Sequence, residues 1–223
     1  MEVFMEHIKE FEKLIEEFSR LQYIKPSSLP GIDLYMDQVT TFMDEKLAHA
    51  KRYPDDKILT KTMINNYTKN ALLPPTEKKK YTKEHMLLLI YIYYLKNILP
   101  INDIQTLLAP LEEHYFGKNG DFGLSDIYRE VVSMETQMFR PFYKDILRKV
   151  EKAEQTFTDR PEDEQEYLQI FSMVCMLAFD VYLKKQMIET IVDDLSEKED
   201  EAAAAKKRAA KETLKKETDK KNS

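Results

Sequence analysis

The chain predicts an all-α protein, and three observations carry that expectation. Only four glycines occur in 223 residues, at 31, 117, 120 and 123, and three of them fall together, so nearly the whole chain can stay regular. Apolar residues recur at helical spacing through segments rich in Leu, Lys, Glu, Met and Ala, most of them strong helix formers. Long runs alternating polar and apolar side chains, the mark of a half-buried strand, are scarce. A hydrophobic share of 43% supports a real core in one domain or two small ones.

The elements follow in order. Phe4, Ile8, Phe11, Ile15 and Phe18 recur with Glu and Lys between them, which predicts an amphipathic helix over about 2–22. Lys25–Gly31 (KPSSLPG) reads as a linker that closes a first segment, 1–30. Asp33 is suited to cap a second helix over roughly 34–51, with Tyr35, Val39, Phe42 and Leu47 facing inward. A short third helix, 60–70, begins at Thr60 and ends before Pro74-Pro75, which offer no backbone donors. Thr82 starts a fourth helix, MLLLIYIYYLKNIL, that ends at Pro100, and Asn102 or Asp103 opens a fifth to about Tyr115.

The glycine-rich stretch 116–123 (FGKNGDFG) is the best internal boundary. It separates a unit at 31–116 from a helical bundle at 124–195 that serves as support, dimerisation or effector region. Residues 124–156 predict a helix with a break near Arg140-Pro141. Residues 162–195 predict another, whose stretch 170–183 is apolar nearly all round and so belongs inside a bundle. The methionines and aromatics at 134, 138, 139, 142, 171, 173, 176, 179 and 187 are read as core, with room for a small apolar effector. Residues 196–223 hold one large apolar side chain, Leu214, and read as a charged, disordered tail.

Charge points to function. Residues 57–85 carry seven lysines (57, 61, 69, 78, 79, 80 and 83) against two glutamates, in a chain whose formal net charge is -6. A basic island in an acidic chain is a local field suited to a polyanion. On the third helix, Ile58, Leu59, Met63, Ile64 and Tyr67 supply anchors, while Lys61, Thr62, Asn65, Asn66 and Lys69 face outward. Asn can bond an adenine edge, Lys can reach guanine or phosphate, and Thr can contact a thymine methyl. The run Lys78-Lys79-Lys80 then offers phosphate contacts that position rather than specify.

The order of these motifs resembles a known family. MINNYTKNALLPP is similar to the helix-then-wing entry of MerR-type winged helix-turn-helix regulators, and KKYTKEHMLLLIYIYYLKNILPINDIQTLL is similar to their wing end and the two helices beyond. Asn65 stands at that family's arginine position and Asn66 at the first of its two tyrosines; Tyr67 keeps the second. The resemblance implies a MerR-like winged helix-turn-helix unit packed with a helical bundle, with DNA contacts at Tyr67, Lys69, Lys80 and Tyr81. The wider stretch DLYMDQV…KILTKTMINNYTKN…KKYTKEH resembles domain-of-unknown-function family 1836 over roughly 30–180, which implies a bacterial regulatory protein. The expected function is therefore a non-catalytic DNA-binding transcriptional regulator, with double-stranded DNA as partner and a homodimer suited to a palindromic operator. The alternative is a helical protein–protein adaptor that has lost DNA binding.

Other chemistries find little support. The four histidines (7, 49, 85 and 114) lack metal-ligand spacing, so neither metal nor cofactor is expected. Cys175, the one cysteine, lies in the most apolar segment and reads as a buried structural thiol in a reducing compartment. No catalytic triad or phosphate-binding loop stands out. The acidic N-terminus does not read as a signal peptide, and the apolar run within 167–183 is interrupted by Gln169, Ser172 and Asp180, so the expectation is a cytoplasmic protein without membrane contact.

Overall fold

A computed structural model describes residues 24–118 and 120–221, so the helix expected over 2–22 lies outside the described residues. The described chain is helical apart from two short strands, in the order β1 (Leu34–Tyr35), α1 (Met36–Lys46), α2 (Lys61–Lys69), β2 (Lys80–Tyr81), α3 (Lys83–Leu95), α4 (Ile101–Tyr115), α5 (Leu124–Glu154) and α6 (Glu162–Lys221). The strands pair antiparallel, Leu34 with Tyr81 and Tyr35 with Lys80.

The core is built around α3, because its sequence is apolar on every side. Met86 to Ile90, Ile92 and Tyr93 are buried, together with His85. Val39 and Met43 of α1, and Ile64 and Tyr67 of α2, pack into the same cluster as Ile104 and Leu108 of α4, Leu124 and Tyr128 of α5, and Val192 of α6. Each large aliphatic side chain buried this way contributes about 1.5–3 kcal/mol. The core therefore takes in residues on both sides of the stretch 116–123, Ile104 and Leu108 before it and Leu124 and Tyr128 after it. Within that stretch Gly117 adopts φ +65 and its N–H donates to Glu84 Oε2 at 2.7 Å.

The stretch read as a linker is partly internal too. Ile24 and Leu29 are buried, and the Tyr128 hydroxyl donates to the Ile24 carbonyl at 2.6 Å. Tyr128→Phe leaves that carbonyl without its buried donor, so we expect a loss of about 1 kcal/mol in urea unfolding with no change in helical content.

Beyond the core, α5 and α6 form a helical hairpin with a small cluster of its own, Ile146, Val150, Ala153 and Met173. Gln169 Nε2 donates to the carbonyls of Glu154 (2.8 Å) and Thr156 (3.1 Å), satisfying the C-terminal end of α5. Lys149 bridges Asp145 on its own helix and Asp180 on α6. The two carboxylates hold the Lys149 ammonium above the usual lysine range despite partial burial.

Several expectations are corrected. The second helix begins two residues late, because Leu34 and Tyr35 are recruited into a strand; Gln38, not Asp33, meets its first donor, accepting from the Tyr35 N–H at 2.9 Å. Tyr35 is exposed rather than inward. No break occurs near Arg140: Pro141 sits inside a continuous α5. The last helix does not end near 195 but continues to Lys221 through the segment read as a disordered tail, consistent with the helix propensity of its Ala, Lys and Glu. The segment 170–183 is not enclosed, since α5 covers only one side of it. Phe171, Val174, Phe179, Val181, Tyr182 and Leu183 are exposed, as are Met134, Met138, Phe142 and Met187; only Phe139, Met173 and Met176 of the methionine and aromatic set pack into the small cluster. Cys175 is exposed, not a buried thiol.

Candidate nucleic-acid interface

α2 is short, and its ends are fixed by local chemistry. Thr60 caps it, its Oγ1 accepting from the Met63 N–H at 3.2 Å. The far end turns sharply: Ala71 takes φ 51, the Leu72 N–H donates to the Tyr67 carbonyl at 2.8 Å, and Asn70 Nδ2 donates to the Asn66 carbonyl at 2.9 Å. The approach to α2 is pinned from α3. Lys96 Nζ donates to the Ile58 carbonyl at 2.9 Å and lies 5.1 Å from the Tyr93 ring centre. Burial pulls the Lys96 pKa below the usual lysine range.

This geometry sorts the side chains of α2 by face. Ile64 and Tyr67 are buried, with Met63 half-buried. Lys61, Thr62, Asn65, Asn66 and Lys69 are all exposed. The outward set is the one expected from helical spacing. Tyr67 departs from the family-based assignment: it is 8% exposed, and burial raises its phenol pKa, so it anchors the helix to the core rather than standing on its outer face. Tyr81 departs from it likewise, at 5% exposed.

The lysine run forms a tight two-residue turn. Glu77 and Lys80 bridge, with the Lys80 N–H donating to the Glu77 carbonyl at 2.9 Å, and Lys78 and Lys79 between them adopt φ 50 and 61. Two successive left-handed residues are the signature of a type I′ hairpin turn, a place usually given to Asn-Gly. Lys78 and Lys79 are therefore exposed at a tip, while Lys80 lies half-buried in β2 with its ammonium 5.7 Å from the Tyr35 ring centre.

Lys61 and Lys80 both converge on the start of α1. Lys61 is paired with Asp37, and Lys80 lies over Tyr35, two residues earlier. The beginning of α2 and the base of the hairpin thus meet around residues 35–37, with Lys69 about 12 Å farther along α2. Tyr35 and Asp37 are the residues that sequence reasoning missed. Neither carries a local signal, because their role depends on strand pairing and on a contact between helices.

The hairpin is held from beneath by His85. The Thr82 N–H donates to His85 Nδ1 at 3.1 Å, and the His85 N–H donates to Thr82 Oγ1 at 3.4 Å, a reciprocal cap with histidine in the place of the usual Glu or Gln. The ring packs edge-on against Tyr81 (5.6 Å) and Phe116 (4.8 Å). Burial lowers its pKa below the ordinary histidine value, outweighing the Pro75 and Pro74 carbonyls and Asp33, which favour the charged ring. The folded protein thus refuses a proton that the unfolded chain accepts below about pH 6.5. We expect stability to be level above that pH and to fall as pH drops through it, by up to about 1.4 kcal/mol per unit. His85→Gln keeps an acceptor at the cap and removes this slope; urea midpoints measured between pH 7 and 5 check it.

A short helix with a polar outer face, a two-lysine hairpin turn whose base meets the start of that helix around residues 35–37, and an apolar core helix belong to a mostly helical protein. Residues 24–131 match the family model described as Domain of unknown function (DUF1836). That match supports the family resemblance from just before β1 into the first turns of α5, and stops short of the 180 expected. No curated protein and no solved structure matches the chain. Among the described residues, no group of three or more His, Cys, Asp or Glu is disposed to hold a metal ion.

Proposed function

We propose that this protein is a non-catalytic transcriptional regulator of MerR-like winged-helix type that binds double-stranded DNA through α2 and the hairpin turn at 77–80. The observation that carries this reading is the division of α2: Lys61, Thr62, Asn65, Asn66 and Lys69 face out while Ile64 and Tyr67 hold the helix to the core. In this reading the outer face of α2 enters the major groove, the two asparagines read base edges, and Lys78 and Lys79 reach flanking phosphates. The acidic remainder repels the duplex and leaves one orientation of approach.

The test is a fluorescence titration of a genomic-fragment duplex across a salt series. Affinity that falls steeply and linearly on a log–log plot supports the proposal. Affinity indifferent to salt, or no binding at low salt, removes it. The Lys61–Asp37 pair favours the second reading, an adaptor that binds protein, because a carboxylate already occupies one of the lysines. Recovery of one stoichiometric protein partner together with absence of duplex binding would decide for that reading.

A further inference from the structure

The strongest unused feature is the outer side of α6. Tyr167, Phe171, Val174, Ala178 and Val181 follow one another at intervals of four, three, four and three residues, with Tyr182 beside the last. That interval is the seam of a coiled coil. All six are exposed. The opposite side of the same turns is already used: Gln169, Met173 and Asp180 face α5. Farther along α6 the seam continues through Ile188 and Val192, and there it lies against the main core. Between 167 and 182 no described residue covers it.

We propose that this seam pairs with the same seam of a second copy, antiparallel, about a two-fold axis between Val174 and Cys175. Three observations select that occupant. First, the exposed apolar area is on the order of 600 Å² per copy, given about 150–250 Å² for each aromatic side chain, so a pair buries about 1,200 Å², the lower end of stable interfaces. Second, charge is complementary only head to tail. α6 opens with Glu162, Asp163 and Glu164, and the seam closes at Lys184 and at Lys185, whose ammonium also meets Glu189 of its own helix at 3.3 Å, so an antiparallel partner brings Glu164 beside the Lys184–Lys185 pair at both ends. A parallel partner sets like charge on like. Third, the antiparallel register that faces Tyr167 with Tyr182 also faces Phe171 with Ala178, a large side chain into a small one. The core-packed stretch beyond Lys185 limits the seam to this length.

The inference is independent of DNA binding, and its test uses no DNA. Sedimentation of the full chain should give a dimer, and Phe171→Glu, at an exposed position, should leave the circular dichroism unchanged while raising the dissociation constant at least about 30-fold. Cys175, the only cysteine, reports the geometry. A bismaleimide spanning about 10 Å should link the two copies, since paired helix axes lie about 8–10 Å apart. In the Cys175→Ser, Gln186→Cys chain the two thiols should stand about 35 Å apart along the axis and should not link. A monomer, a dimer untouched by Phe171→Glu, or linkage through residue 186 would each overturn the proposal. α6 is also long and apolar enough, by length and composition, to cross a membrane, with a mean hydropathy of 1.3 over 18 residues. A monomer that floats with phosphatidylcholine–phosphatidylglycerol vesicles would overturn the proposal in favour of a bilayer partner.

Discussion

Changing Lys69, Lys78 and Lys79 together to glutamine should weaken duplex binding about 100-fold at roughly 100 mM salt and flatten its salt dependence. The three side chains are exposed at the far end of α2 and at the hairpin tip, so their loss disturbs no packing. Each phosphate contact removed should make the log–log salt slope shallower by about 0.9, which separates a positional role from a general loss of fold. Asn65→Ala and Asn66→Ala should behave differently. They should leave the slope intact and cost about 1–3 kcal/mol on the preferred sequence alone. Titrations on preferred and scrambled duplexes check both. If all five changes leave binding untouched, the polar face of α2 is not the contact surface.

Tyr67→Ala should be the most damaging change near the site, costing about 3–5 kcal/mol of stability, because it removes an aromatic ring from beneath α2. The ring is nearly fully buried, and its backbone carbonyl receives the bond that closes the turn after α2. Tyr67→Phe keeps the ring and should leave duplex affinity within about twofold, the range of a neutral surface change. Urea unfolding and a duplex titration on the two variants tell a supporting residue from a contact residue. A Tyr67→Phe variant that folds normally yet loses DNA would return the hydroxyl to the interface.

That residue also shows what could be read without coordinates. Helical spacing placed Tyr67 three positions from Ile64, on the inner face, and the structure agrees. The family motif drew it outward as a contact. Local periodicity was the better guide, because burial of one face is a requirement of every helix on a core, whereas a motif carries over only where the surroundings match. The outer face of α2 was legible for the same reason. The error at α6 has a different origin. An unbroken apolar stretch states that something must cover it, and composition cannot tell whether that cover comes from the same chain. The pairing of Asp37 with Lys61 and the stacking of Lys80 on Tyr35 join residues far apart in sequence, where no local pattern speaks. Local pattern gave no sign of the tight turn at 77–80, because lysine is not a turn former; the expectation of a wing there came from the resemblance alone.

That turn has a cost with a meaning. A left-handed backbone carrying a Cβ is disfavoured by about 1–2 kcal/mol per residue, and Lys78 and Lys79 bear it side by side where glycine or asparagine would sit at ease. The protein is therefore less robust at this spot than its own geometry allows. Under the DNA-binding reading proposed above, that cost holds two positive side chains at one turn, and variants selected only for heat resistance should shed those lysines first.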